Sequence, residues 1–136
     1  MSFFASPRFL RNVLLLDAAT GLVSGALQLG APAWLAALTG LPPALLLESA
    51  VFLLLYAAAL AWLASRHPIP AGGVWLLVVG NPAWAVACVA LMVGPWLPLT
   101  PWGMAYLAVH TVSVLVMALL QWMGLQRLRS TRLVTV

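Results

Sequence analysis

Charge is what this sequence has least of. Only 6% of its 136 residues are charged, against about 25% in a soluble domain. So few charges leave too little polar surface to coat a water-soluble globule, which points to an integral membrane protein. Lysine is absent, and six arginines stand against two acids, for a formal net charge of +4. The arginines sit singly or in twos and threes at the ends of apolar runs and do not alternate with aromatics on one face, so no nucleic-acid partner is expected. One cysteine, Cys88, excludes an intrachain disulfide and any paired-cysteine metal or redox motif. The chain shows no nucleophile–base pair, metal motif or phosphate loop. It leans away from an enzyme, and no residue is assigned to catalysis or to a metal.

Hydrophobic residues make up 65% of the chain, with a mean hydropathy of +1.10. A helix needs about 20 largely apolar residues to cross the hydrocarbon core. Four such stretches are present, at about 11–29, 44–65, 73–93 and 102–125. Turn chemistry separates them: "GLPP" before the second, with Pro43 suited to its first turn, then "RHPIPAGG" and "GPWLPLTP". The first connection is longer and contains "APAWLAALTG". This segment is too short to span and reads as a small interfacial or re-entrant helix with Trp34 near the headgroups. The expected fold is all-α, a single domain over residues 1–136 with four transmembrane helices in an antiparallel bundle. Arg8 and Arg11 before an apolar run, with "GAPA" following it, loosely match a secretory leader. Asp17 interrupts the run, so the segment is read as a retained first span.

The arginines set an orientation. Arg8 and Arg11 precede span one, Arg66 joins spans two and three, and Arg127, Arg129 and Arg132 follow span four. All six fall on one side of a four-span arrangement. The positive-inside rule places that side, and both termini, in the cytoplasm, and it argues against dual-topology insertion. The final "RSTRLVTV" reads as a frayed tail. Trp34, Trp96 and Trp102 fit an outer aromatic belt, and Trp62, Trp75 and Trp122 an inner one. Trp84 alone is embedded, one turn from Asn81, where it could line a pocket for a flat apolar ligand.

Each span carries a narrow polar stripe at helical spacing. Span one has Asp17, Thr20, Ser24 and Gln28, flanked by the Gly21–Gly25 pair. Span three has Asn81, Trp84, Cys88 and Met92, and span four His110, Ser113, Met117 and Gln121. Span two has Glu48 above Phe52, Leu55, Ala59 and Trp62. For Gly21, Gly25, Ser24, Thr20 and Ser113 the plain reading is helix packing, since small residues allow close approach and polar ones bond across at about 0.6 kcal/mol each. Pro82 follows Asn81 and should kink its helix.

The carboxylates stand apart, because an acid at mid-helix costs about 2.5–3.5 kcal/mol on insertion scales. Asp17 lies about 9 Å in from the arginine-bearing end and Glu48 about 6 Å in from the other, at 1.5 Å per residue. They fall in opposite halves of the bilayer and cannot form a catalytic dyad within one chain. Asp17, Glu48, Asn81, Trp84, His110 and Gln121 are the candidate ligand or ion path, with Gly21, Gly25, Ser24 and Ser113 as packing residues. The bland alternative has Asp17 bonded to Thr20 or an arginine, and Glu48 snorkelling outward or capping its helix. His67, beside Pro68 in a turn, cannot pair with His110 across one haem.

The stretches "DAATGLVSGALQLGAP", "AALTGLP", "VVGNPAW" and "LQWMGLQRL" together resemble a group of uncharacterised small four-span bacterial inner-membrane proteins, and more distantly the DoxX-like layout. The resemblance covers about residues 9–129. It implies a four-helix fold and a bacterial inner-membrane location, and it carries over no site residues. The pattern around Asp17 differs from that of the small multidrug resistance transporters. The leading functional expectation is a non-enzymatic binding or accessory module for a small apolar ligand or a partner membrane protein. A proton-coupled carrier using Asp17 and Glu48 comes second, and a quinone- or haem-binding redox subunit near His110 and Trp84 third. The residues name no cofactor. The expected surroundings are the lipid bilayer, with a homodimer or a partner membrane protein as the form of any assembly.

Overall fold

A computed structural model describes the backbone of residues 8–134 and the side chains of residues 8–127. The side chains of Arg129 and Arg132 lie outside the described residues. The elements are α1 (Phe9–Gly30), α2 (Pro32–Thr39), α3 (Pro43–Ser65), α4 (Ala71–Val93) and α5 (Pro101–Val134). α1, α3, α4 and the stretch Pro101–Arg127 of α5 are each long and apolar enough to cross a membrane. They pack antiparallel, with α2 as a short extra helix between the first two. The four expected spans coincide with these helices to within about two residues, except at the end of the last. There the backbone stays helical to Val134 instead of fraying. Beyond Gly124 no glycine or proline interrupts it, and leucine, glutamine and arginine all favour helix.

The helix ends follow their sequence punctuation. Pro32 and Pro43 open α2 and α3, where a missing N–H costs nothing. α2 stops at Gly40, whose φ of 76° is left-handed. α5 starts under a cap: the Gly103 N–H donates to Thr100 Oγ1 at 3.0 Å. The end of α2 is clamped to the start of α5. The Thr100 N–H donates to the Thr39 carbonyl at 3.1 Å, and Thr100 Oγ1 donates to the Leu38 carbonyl at 2.6 Å. A Cβ on Gly103 would lie 2.0 Å from the Thr39 carbonyl oxygen, so the two backbones meet only because residue 103 has no side chain.

The two most extensive helix contacts are α1 with α3 and α4 with α5. The first is a small-residue seam. A Cβ on Gly21 would touch Ala57 and the Leu53 carbonyl at 3.6–3.7 Å, and one on Gly25 would come within 3.1 Å of the Ala50 carbonyl. The Gly21–Gly25 pair is therefore used inside the chain, for close approach to α3. α3 and α4 are joined by the shortest connection between spans, yet their backbones do not approach closely. Phe52, Tyr56 and Trp84 stand between them, with the Phe52 and Trp84 rings stacked at 5.0 Å.

Two apolar cores result. One gathers Leu10, Leu14, Leu60, Leu63, Val74, Leu77 and Leu125 near the end where Arg8, Arg11, Arg66 and Arg127 lie. The other gathers Leu35, Leu41, Leu46, Cys88 and Leu107 near the arginine-free end. At most 39% of each span's apolar window is buried, and the outward surface is leucine, valine and aromatic. Such a surface suits lipid. Six of the seven tryptophans are exposed towards the ends of the spans and Trp84 is not.

Candidate functional site

Between the two cores the interior turns polar. Asp17, buried on α1, accepts at Oδ2 from Gln121 Nε2 of α5 at 2.6 Å and from the Tyr56 hydroxyl of α3 at 2.9 Å. Gln121 has no exposed surface, and its Oε1 accepts from Asn81 Nδ2 of α4 at 3.2 Å. Asn81 Oδ1 lies 2.9 Å from the Tyr56 hydroxyl and completes a four-membered ring. Each corner comes from a different spanning helix. Helical spacing explains the register: Asp17 follows Val13 and Leu14 on the inward face of α1, and Asn81 follows Val74 and Leu77 on that of α4. A buried polar group is tolerable in hydrocarbon only with partners, and the ring supplies them.

A second polar layer lies nearer the arginine-free end. Gln28 Nε2 donates to the Tyr106 hydroxyl at 2.7 Å, and Ser49 Oγ donates to Gln28 Oε1. The Tyr106 ring packs at 4.8 Å against His110. Between the layers, α1 and α5, with Leu53 and Tyr56 of α3, border a cleft of about 420 Å³. Asp17, Thr20, Ser24, Tyr56, His110 and Ser113 give it polar lining, and Val23, Val109 and Met117 give apolar walls. Smaller cavities of about 250 Å³ and 150 Å³ flank Trp84, the first bounded by Phe52, Tyr56 and Asn81, the second by Gln28, Ser49, Tyr106 and His110. The Trp84 indole N–H is buried there without a hydrogen-bond partner.

Of the residues expected to form one path, Asp17, Asn81 and Gln121 meet directly. His110, Ser24 and Ser113 line the same cleft as Asp17, and Trp84 backs the adjoining cavities. Thr20 bonds the Asp17 carbonyl rather than its carboxylate, at 2.9 Å. Glu48 does not join them. It is exposed, on a stripe with Phe52, Leu55 and Trp62, which are exposed too. The inward face of α3 is instead Leu46, Ala50, Leu53, Ala57 and Leu60. Glu48 lies two residues from both Leu46 and Ala50, about half a turn away. Tyr56, Ser49 and Tyr106 join the site beyond the expected residues, and so does Gln28, which the sequence places only on the polar stripe of span one. For Tyr56 and Tyr106 the signal in the sequence is scarcity, since the chain has only two tyrosines.

His67 lies at the arginine-bearing end, 3.4 Å from Arg11, and shares nothing with His110. Among the described residues no three His, Cys, Asp or Glu side chains cluster as a metal site would require.

The apolar exterior, the four long helices and the interior polar layers settle the class. This is a small polytopic membrane protein. The chain matches no family model, and no curated protein or solved structure matches it.

Proposed function

We propose that the protein is a non-enzymatic binding module of the membrane, and that the cleft between α1 and α5 takes a small, mostly apolar molecule bearing a polar head. The cleft itself carries this reading. Its volume of about 420 Å³ falls in the range of ligand sites, roughly 300–1,000 Å³, and such sites pair apolar walls with a few convergent polar groups. Asp17, Ser24, His110 and Ser113 are those groups here. Thr20, Val23, Val109 and Ser113 on its rim are exposed, so a lipid-soluble molecule reaches it sideways from the bilayer. With the arginine-bearing end in the cytoplasm, as the positive-inside rule places it, the Asp17 ring sits in the cytoplasmic half. The four spans then act as one domain. Any homodimer must use a face other than Gly21–Gly25, which α3 already covers.

The test is native mass spectrometry of protein gently extracted from its own membrane, with identification of co-purifying lipids and small molecules. A stoichiometric molecule retained by the wild type and lost from Ser24→Leu, which fills the cleft, supports the reading. A bare wild-type chain, or a mass bound equally by both proteins, refutes it. A proton-coupled carrier is the second reading, because Asp17 and His110 border one cavity. The outward position of Glu48 leaves that carrier one carboxylate rather than two.

A further inference from the structure

The ring of Asp17, Tyr56, Asn81 and Gln121 can be counted in hydrogens. Its four contacts are 2.9, 2.9, 3.2 and 2.6 Å long. All are hydrogen-bond distances, so each needs one hydrogen between its heavy atoms. Asn81 and Gln121 each turn one nitrogen and one oxygen to the ring and supply one hydrogen apiece. Tyr56 has a single hydroxyl hydrogen, which makes one full hydrogen bond, to Asp17 or to Asn81, and only two weakened ones if it is shared. An ionised Asp17 supplies none. That makes three hydrogens for four contacts.

Reassigning the amides does not help. If both are turned over, Asn81 donates to Tyr56, Gln121 donates to Asn81 and Tyr56 donates to Asp17, and then Gln121 Oε1 faces Asp17 Oδ2 with nothing between. Turning one amide alone sets nitrogen against nitrogen or oxygen against oxygen. One proton on Asp17 closes the ring in either sense. In one sense Asp17 donates to Tyr56, Tyr56 to Asn81, Asn81 to Gln121 and Gln121 back to Asp17; in the other every donor and acceptor is exchanged.

We propose that the folded protein carries Asp17 as a neutral carboxylic acid, which makes the ring a binding site for one proton at the wall of the α1/α5 cleft. The titratable groups that share the surroundings of Asp17 among the described residues are Tyr56 from α3 and His110 from α5. α4 presents only the uncharged Asn81. The proton arrives on Oδ2 from the cleft and leaves by the same route, and no other bond is made or broken. An uncharged occupant of the cleft lies beside the neutral acid without displacing the proton, whereas a cation competes with it.

The sequence permits a direct test, because Asp17 is its only aspartate. In protein labelled with ¹³C at the aspartate carboxyl and reconstituted in lipid vesicles, infrared and solid-state NMR spectra report this one site. The expected result is a carboxylic-acid signal at neutral pH that disappears in Asp17→Asn. The same variant is expected to shift the unfolding midpoint down less than Asp17→Leu does, because with both ring amides turned over its NH₂ donates to Gln121 Oε1 and to Tyr56, which keeps a hydrogen in every contact and leaves only the Tyr56 hydroxyl hydrogen outside the ring. A carboxylate signal from the folded wild type at neutral pH overturns the proposal, as does an Asp17→Asn protein as unstable as Asp17→Leu. Neither measurement depends on a bound ligand, so this inference and the ligand reading stand or fall separately.

Discussion

Replacing Gln121 with leucine removes the corner of the ring that joins α5 to both α1 and α4. The two side chains are close in volume and Gln121 is fully buried, so the exchange opens little cavity and isolates the polar loss. Gln121 makes two interhelical hydrogen bonds, to Asp17 and from Asn81. Bonds of this kind are worth about 0.6 kcal/mol on average in a bilayer and up to about 1.7. The expected loss is therefore about 1–3 kcal/mol, or roughly a five- to 150-fold change in the folded-to-unfolded ratio. Detergent-driven unfolding of protein in bicelles, followed by tryptophan fluorescence, measures it. Combining Gln121→Leu with Tyr56→Phe sharpens the test, since these opposite corners share both Asp17 and Asn81 as hydrogen-bond partners. A cooperative ring makes the double variant less damaged than the two singles together by about 0.5 kcal/mol or more. Strict additivity, or a Gln121→Leu loss below about 0.5 kcal/mol, would refute the ring as a mechanical unit.

Two further outcomes use the same assay. Gly103→Ala drives a Cβ to within 2.0 Å of the Thr39 carbonyl oxygen and is expected to cost about 1–3 kcal/mol or more. Gly30→Ala, with nothing within 4 Å, should be tolerated, and equal effects at the two sites would remove the α2–α5 clamp from the account. Glu48→Gln changes an exposed side chain and is expected to move stability by less than about 0.5 kcal/mol and to leave any co-purified molecule in place; loss of that molecule would return Glu48 to the site.

The spans were legible because length, hydropathy and turn residues agree, and all six arginines fall at one end of the pattern. Part of the site was legible for a similar reason: Asp17, Asn81 and Gln121 stand out against apolar neighbours, so their helix face can be read. α3 offered no such contrast. From Ala44 to Ala64 almost every position is apolar, and hydrophobic periodicity cannot choose an inward face when all faces are hydrophobic. Glu48, its one acid, drew attention to the outward stripe. A subtler signal was the alternation of Leu46, Ala50, Leu53, Ala57, Leu60 and Ala64, a large-and-small seam suited to the glycines of α1. Tyr56 lies one residue from that seam. An aromatic in a membrane span reads first as belt or lipid contact, and only the polar partner on another helix shows that its hydroxyl is the point.

The ring also explains how the bundle is joined. Lipid tails are as apolar as leucine, so apolar burial alone gives two helix pairs little reason to stay together. Within each pair the contact is close: α1 on α3, and α4 on α5. Between the pairs, α3 and α4 are propped apart by aromatics, and α1 and α5 part at the cleft. The α2–α5 clamp ties the pairs at one end. In mid-bundle the ring does so, and its contacts divide accordingly. Asp17–Tyr56 and Asn81–Gln121 each lie within a pair, while Tyr56–Asn81 and Gln121–Asp17 cross from one pair to the other. When Tyr56 donates to an ionised Asp17, the contact left without a hydrogen is Tyr56–Asn81 in one amide arrangement and Gln121–Asp17 in the other, a crossing contact each time. With the Tyr56 hydrogen turned to Asp17 in this way, losing the Asp17 proton weakens the junction between the pairs; with it turned to Asn81, the weakened contact is Asp17–Tyr56 within the α1–α3 pair. The cleft, which Asp17 lines, lies at that junction.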